Sequence, residues 1–303
     1  MVGSSVTALG TLTAAEIDAM VCAMEAIAAV CDVNFLTVGS QADADIIWAG
    51  VDNLDGQGAL GWANPPAGNY SNIYGDYQSL VTVNQDAYVG GSRAVGSYDY
   101  ITFIHELGHA LGLAHPHDAS GNSTVFPSVS GPFGDFGTYD MNQGIYTMMS
   151  YNDGWQTAPQ GTPPSADYGY QGTPMALDIA ALQAMYGANT STATGNDTYT
   201  LPGANASGTF YSCIWDNGGT DTIVGASGLA NLIDLRAATL GDEAGGGGFV
   251  SYASGIHGGF TIANGVVIED AIGGAGDDTL RGNDAANLLN GRGGADAMAG
   301  GAG

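Results

Sequence analysis

Apolar residues recur at helical spacing over Thr13 to Val30, where Ile17, Met20, Val21, Met24, Ile27 and Ala28 form one stripe. Thr13, with Glu16 three residues on, supplies a capping-box start for that helix. Short apolar runs predict strands at Val33 to Val38, Ala44 to Trp48 and Ser79 to Asn84. The Gly-, Asn- and Pro-rich stretch from Gly56 to Gly75 predicts a loop. A second helix is expected over Ser97 to Leu113, then a long irregular stretch from His115 to Thr173. A third helix follows over Pro174 to Tyr186, with Pro174 near its start and Gly187 just past its end.

Beyond Gly187 the pattern changes. Short β-type runs alternate with Gly/Asn/Asp turns at Tyr199 to Leu201, Asp221 to Val224, Leu232 to Leu235, Phe260 to Ile262 and Gly265 to Ile268. A boundary is expected between about 187 and 195, dividing a mixed α/β unit, residues 1–190, from an all-β unit, residues 191–303. The last thirty residues repeat with a nine-residue period. Units begin at Gly273, Gly282 and Gly291, and Leu280, Leu289 and Met298 fall at the same place in each. Such units match a parallel β-helix in which turn carbonyls and Asp side chains hold calcium and one apolar residue points inward.

Charge sharpens this picture. There are 30 acidic residues against 4 basic ones, all arginine, and the net charge is −26. Four arginines cannot build a phosphate-binding surface, so nucleic acid is excluded as a partner. Only 5 of the acids are Glu. Asp beside 50 glycines suits oxygen-ligated calcium loops where the spacing is regular, and a solvated acidic surface elsewhere. Cys22, Cys31 and Cys213 read as free thiols. On one helix the first two would lie roughly 13 Å apart, too far to bridge. No apolar stretch is long enough to span a bilayer, and no basic-then-apolar leader opens the chain.

The chemistry concentrates in His105-Glu106-Leu107-Gly108-His109-Ala110-Leu111-Gly112-Leu113-Ala114-His115. Two histidines four apart on a helix project from one face and can share one tetrahedral zinc. Glu106 lies beside them as a general base toward water. Gly112 permits a sharp turn that returns the chain so that His115 becomes the third ligand.

This spacing resembles the metzincin metallopeptidases. Pro116 after the third histidine is similar to the serralysin family, secreted bacterial enzymes. Thr147-Met148-Met149-Ser150-Tyr151 resembles that family's Met-turn, and Pro174 to Gln183 its domain-closing helix. The resemblance runs from about Leu12 to Gly303. It implies a zincin-like α+β catalytic domain, with a mixed twisted sheet and an active-site helix, followed by a calcium-binding parallel β-roll.

The resemblance further implies one catalytic zinc on His105, His109, His115 and Tyr151. Met149 would lie beneath the metal, and Glu106 would serve as base for a zinc-activated water. Tyr151 would leave the metal to stabilise the oxyanion. Several structural calcium ions are implied too. One would sit at Ala193, Gly195 and Asp197 with Asp216, Gly218 and Asp221, and a second at Gly219, Asp221, Val267 and Glu269. Two repeat sites would be Gly274, Gly276 and Asp278 with Gly291, Gly293 and Asp296, and Asn283, Ala285 and Asn287 with Gly300 and Ala302; the last would take its final Asp from beyond residue 303.

Protein or peptide substrates would bind extended against an edge strand, for which Ser79 to Asn84 is the candidate. The chain would be a monomer, a target for a proteinaceous inhibitor, and exported by a C-terminal signal not present in these 303 residues. His117 stands where relatives commonly carry glycine and reads as a solvated loop histidine. The rival reading is a calcium-folded adhesion or interaction protein with a relic zinc site, which the presence of Glu106 argues against.

Overall fold

A computed structural model describes residues 9–40, 43–52, 54, 59–65, 78–119 and 123–303. The N-terminal part is a small mixed sheet with helices packed on it. Its strands are β1 (Leu9–Gly10), β2 (Ile46–Val51), β3 (Gly61–Ala63) and β4 (Ser79–Asn84), in the order β1-β2-β4-β3. β2 runs parallel to β4, whereas β3 pairs antiparallel with β4. β4 is therefore internal and buried along its length, and β3 forms the edge. Ser79 to Asn84 cannot offer a free edge, because both of its backbone sides are already paired.

Helix α1 (Ala14–Val30) begins at the predicted cap. The Thr13 N–H donates to Glu16 Oε2 at 2.6 Å, and the Glu16 N–H reaches Thr13 Oγ1 at 3.4 Å. Glu16 is itself buried and also accepts from the Tyr88 hydroxyl at 2.7 Å, which ties the helix start to the loop after β4. Helix α2 (Tyr98–Ala110) is capped by Ser97, whose Oγ accepts the Tyr100 N–H. α2 packs against α1, β3 and β4, and Trp48 of β2 stacks on Phe103. Its residues from Asp99 to Gly108 are all buried. Helix α3 (Ala176–Tyr186) closes this part, and Gly187 ends it at a φ of 85°.

The remaining strands are β5 (Thr198–Thr200), β6 (Tyr211–Ile214), β7 (Thr222–Val224), β8 (Asn231–Asp234), β9 (Ser251–Ala253), β10 (Gly259–Ile262), β11 (Asp270–Ile272), β12 (Thr279–Arg281), β13 (Leu288–Asn290) and β14 (Ala297–Ala299). They form two sheets, in the orders β14-β12-β8-β9-β10-β6 and β13-β11-β7-β5. From β11 onward successive strands alternate between the sheets. Asp270 pairs in parallel with Leu288, and Thr279 with Ala297, each two repeat units further on. Leu280 is fully buried at the inward position and Leu289 partly so, while Met298, on the edge strand β14, is 54% exposed.

Buried apolar side chains from both parts join in one cluster, running from Ala23 and Ile27 through Phe103, Met149 and Leu182 to Ile214, Ile233 and Leu280. No helix among the described residues is long and apolar enough to cross a membrane.

Three expectations about elements need correction. Val33 to Val38 forms no strand, because it finds no partner in the sheet. Gly265 to Ile268 is turn and extended chain, and the strand begins at Asp270. The expected loop from Gly56 to Gly75 contains β3; residues 56–58 and 66–75 of that region lie outside the described set.

Candidate metal centre

His105 and His109 lie one turn apart on the buried α2. The helix ends at Leu111, and Gly112 adopts a φ of 100°, which a side-chain-bearing residue resists. The reversal is held by the Leu113 N–H, which donates to the Gly108 carbonyl at 2.9 Å. It brings His115 back over the helix. His115 Nε2 then lies 3.1 Å from His105 Nε2 and 2.9 Å from His109 Nε2.

The other ring nitrogens settle which tautomer is present. His105 Nδ1 faces the Met148 carbonyl at 2.9 Å, and His109 Nδ1 faces the Leu113 carbonyl at 2.8 Å. His115 Nδ1 faces Asp118 Oδ2 at 2.7 Å. Carbonyls only accept, so in each neutral ring Nδ1 carries the hydrogen and Nε2 presents a lone pair. Three lone pairs converge on one point. Burial, reinforced by the neighbouring imidazoles, holds His105 well below the ordinary histidine range and His109 down to about 4. A protonated cluster is thus disfavoured, and the arrangement suits a soft divalent cation on three nitrogens.

Glu106 points into the same cleft, an open cavity of about 620 Å³ that is also lined by Trp62, His109, His115, Asp118 and Tyr151. Its Oε2 is buried with no hydrogen-bond partner among the described residues, and burial pushes its carboxyl up to about 8. The edge strand β3 lies directly against it. A Cβ on Gly61 would sit 2.7 Å from Glu106 Cγ and from Thr102 Cγ2, so the glycine makes room for the carboxylate.

Below the histidines, Met149 is buried against the helix. A Cβ on Gly108 would meet Met149 Sδ at 2.6 Å and Met148 Cε at 2.8 Å, so the glycine lets both methionines pack close under the helix. Asp178, buried at the start of α3, holds that turn. Its Oδ2 accepts the Met148 N–H at 2.6 Å and the Met175 N–H at 2.9 Å, and its Oδ1 accepts the Thr147 hydroxyl at 2.7 Å. Burial raises the Asp178 carboxyl to about 6. Asp178 therefore holds the backbone N–H of Met148, the residue whose carbonyl orients His105.

The Tyr151 ring packs against the cluster, its centroid 4.6 Å from that of His115 and 5.6 Å from that of His105. Burial raises its phenol to about 12. Phe133 stacks on its other side at 5.3 Å. His117 is not the solvated residue expected. Its ring stacks on His115 at 4.8 Å, and only 16% of its side chain is exposed.

The carboxylates of Asp197, Asp216 and Asp221 come together in the second part of the chain. Glu269 joins them, accepting the Asp221 N–H at 2.8 Å. Gly195 approaches Gly219 so closely that a Cβ there would overlap the Gly195 carbonyl. The Ala193 carbonyl accepts the Asn217 N–H, and the Gly218 N–H donates to Asp216 Oδ1. Val267 lies half exposed two residues before Glu269. Asp221 Oδ2 is buried with no hydrogen-bond partner among the described residues, and burial with the nearby Asp216 and Glu269 charges raises its carboxyl. Clustered acids with no basic partner among the described residues suit a hard cation.

The repeat turns also stack. The Asp278 N–H donates to Asp296 Oδ1 at 3.0 Å, the Gly293 N–H to the Gly274 carbonyl at 3.2 Å, and Gly276 abuts Gly294. Gly291 lies against the Asp296 carboxylate. Asp278 is buried and already accepts from Asn231 and from the Gly274 N–H. The turn of Asn283, Ala285 and Asn287 lies under residues 300–303. It offers amide oxygens and carbonyls, and Asn287 spends its NH2 on the Glu269 carbonyl and Asn283.

Four contributors escaped the sequence reading: Gly61, Asp118, Asp178 and the packed His117. Only Asp178 and Asp118 leave a local signal, an acid at the third position of a helix and an acid three residues past a ligand.

Residues 176–297 match the family described as Peptidase M10 serralysin C terminal. The chain is 37% identical over 209 residues to a serralysin of Proteus mirabilis, covering 64% of this chain and 38% of that one. It is 32% identical over 273 residues to a serralysin of Photorhabdus laumondii, covering 86% and 51% respectively. It is 33% identical over 226 residues to metalloprotease AprA of Pseudomonas entomophila, covering 70% and 42%. The chain thus spans about half the length, or less, of these curated relatives.

Proposed function

The chain belongs to the serralysin family, and from that premise we propose that it is a secreted, zinc-dependent endopeptidase acting on extended protein substrates. The observation that carries this reading is the convergence of three Nε2 lone pairs beside a buried carboxylate with an unpartnered oxygen. His105, His109 and His115 would hold the zinc, with Tyr151 as a ligand at rest. When bound, zinc supplies a Lewis acid that polarises the scissile carbonyl and acidifies the attacking water.

The rest is the work of the chain's own residues. A bound cation would favour the ionised form of Glu106, which then accepts a proton from the water at Oε2 and delivers it to the leaving amine. Tyr151, whose phenol stays protonated at neutral pH, donates to the oxyanion. Met149 and Asp178 keep the floor of the site rigid. The substrate backbone pairs with β3, the edge strand beside Glu106, rather than with the internal β4.

Residues 1–190 would form the zincin-like catalytic domain and 191–303 a calcium-bound β-roll. Calcium is best supported at Asp197, Asp216, Asp221 and Glu269, where acids cluster. The stacked turns of Gly274, Gly276 and Asp278 with Gly291, Gly293 and Asp296 offer a second place. The turn of Asn283, Ala285 and Asn287 with Gly300 and Ala302 offers amide and carbonyl oxygens as a third place. The adhesion alternative leaves the unpartnered Glu106 oxygen without a use. Casein hydrolysis by the purified chain tests the proposal. Activity should vanish with a strong zinc chelator and return with one equivalent of zinc in saturating calcium. Activity indifferent to the chelator would overturn it.

A further inference from the structure

Among the described residues only two aromatic side chains are largely exposed, Phe133 at 71% and Tyr139 at 52%. Both stand on one loop, residues 126–142, beside the three-histidine centre. A lone apolar residue on a surface needs no explanation. Phe133 differs in its place and in its rigidity. Its ring stacks on that of Tyr151, with centroids 5.3 Å apart and planes at 28°. Tyr151 lines the cleft together with β3 and Glu106. The phenyl face therefore continues the aromatic wall of the cleft outward.

The loop is held so that this ring cannot fold away. The Gly134 N–H donates to Asn152 Oδ1 at 2.7 Å, which ties the residue after Phe133 to the residue after Tyr151. Asn152 Nδ2 donates to the Asp135 carbonyl at 3.1 Å, and Asn142 Nδ2 to the same carbonyl at 2.6 Å. Both asparagines are buried, and the buried Ser150 hydroxyl bridges them. Asp135 closes the loop on itself. Its Oδ2 accepts the Ser130 N–H at 2.6 Å and the Ser130 hydroxyl at 2.7 Å, and its Oδ1 accepts the Gly137 N–H at 3.2 Å. Ser128, Tyr139 and Asp140 are kept at φ values of 62°, 55° and 59°, which residues with side chains resist. A Cβ on Gly131 or Gly134 would meet nothing within 4 Å, so the space on either side of Phe133 is open.

We propose that Phe133 is a specificity-determining residue, whose exposed face takes an apolar side chain, aliphatic or aromatic, of an extended polypeptide lying in the cleft. An aromatic ring that is already fixed loses little freedom on binding, which is why such residues dominate recognition surfaces. The loop carries no basic residue, and the Asp135 carboxylate is engaged within it, so the face selects by apolar contact. That the polypeptide is a substrate rests on the peptidase reading. The contact itself can be measured without cleavage.

The test uses the full chain with zinc and saturating calcium, as wild type, Phe133→Ser and Phe133→Leu. Cleavage of an unstructured peptide library, read by mass spectrometry, gives the preference at each position around the scissile bond. Wild type should favour apolar over polar residues at one such position. Phe133→Ser should cut that ratio about 10-fold, equivalent to about 1.4 kcal/mol, the scale of burying most of a phenyl face. Phe133→Leu should keep most of it, and preferences at the other positions should hold. An unchanged ratio overturns the proposal. So does an equal loss on every peptide, which would mean that Phe133 acts only through Tyr151. Calorimetry of an apolar and a polar library peptide on Glu106→Gln, with and without Phe133→Ser, reads the contact directly. The apolar peptide should lose about 10-fold in Kd and the polar one far less. That loss in a chain whose wild type never cleaves would uphold the contact and sink the peptidase reading. Cleavage by a chain whose peptide affinities ignore Phe133 would do the reverse.

Discussion

Asp178 is linked to His105 through the backbone of Met148, and its replacement tests how far that support matters. Removing the carboxylate in Asp178→Ala leaves the Met148 and Met175 N–H groups buried and unpaired, while the Thr147 hydroxyl can rotate. At about 1–3 kcal/mol for each orphaned donor, the loss is about 2–6 kcal/mol. Asp178→Asn differs in kind. One amide oxygen can accept both N–H groups from the place of Oδ2, and the NH2 can donate to Thr147 Oγ1. The expected cost is about 1 kcal/mol or less.

The pH dependence follows from the same burial. The folded carboxyl titrates at about 6, above its ordinary value of 3.8. A group with a raised folded pKa contributes stability below its unfolded pKa and loses it as pH rises through the folded one. Stability should therefore fall between about pH 4 and pH 6 by on the order of 3 kcal/mol, and Asp178→Asn should remove that fall. Denaturant unfolding gives the stability, and competition with a chromophoric chelator gives the zinc affinity. Asp178→Ala should bind zinc about 10–100-fold more weakly, because the Met148 carbonyl no longer holds His105. Asp178→Ala within about 1 kcal/mol of wild type, with unchanged zinc affinity, would refute the reasoning, as would an Asn variant as damaged as Ala.

Gly61→Ala should retain zinc but lower kcat by roughly 10-fold or more, because its Cβ would displace Glu106; metal analysis beside a peptide assay checks it. Tyr151→Phe should keep the metal and lose about 100-fold or more in kcat, as expected when one oxyanion donor is removed; unchanged kcat would exclude that role. Calcium at about 100 times its Kd should stabilise the chain by about 2.7 kcal/mol per site. Asp221→Asn should shrink that gain as read by Tm, because it removes a buried, unpartnered oxygen.

Much of this was legible in the sequence. The spacing of His105, His109 and His115 carried the three-histidine cluster because helical geometry and one glycine turn determine it locally. The nine-residue period foretold the parallel strands, since each unit repeats the same turn and an apolar position that is buried at Leu280 and partly buried at Leu289. Strand order was not legible. β4 looks like an edge candidate by composition, yet it is internal because β3, three residues inside a Gly-rich stretch, pairs on its outer side. Gly61 and Asp178 stayed hidden for a similar reason. Their roles arise from contacts with Glu106, 45 positions away, and Met148, 30 positions away, which no local pattern encodes. His117 departs from expectation because loop position predicts exposure, and here the loop folds back onto His115.

The most direct test joins metal content to turnover in one variant. Glu106→Gln keeps the size of the side chain and removes its capacity to accept a proton, while the three histidines remain. The account predicts one zinc per chain in that variant, with casein cleavage reduced at least 100-fold. Cleavage at the wild-type rate by a zinc-loaded Glu106→Gln protein would contradict it.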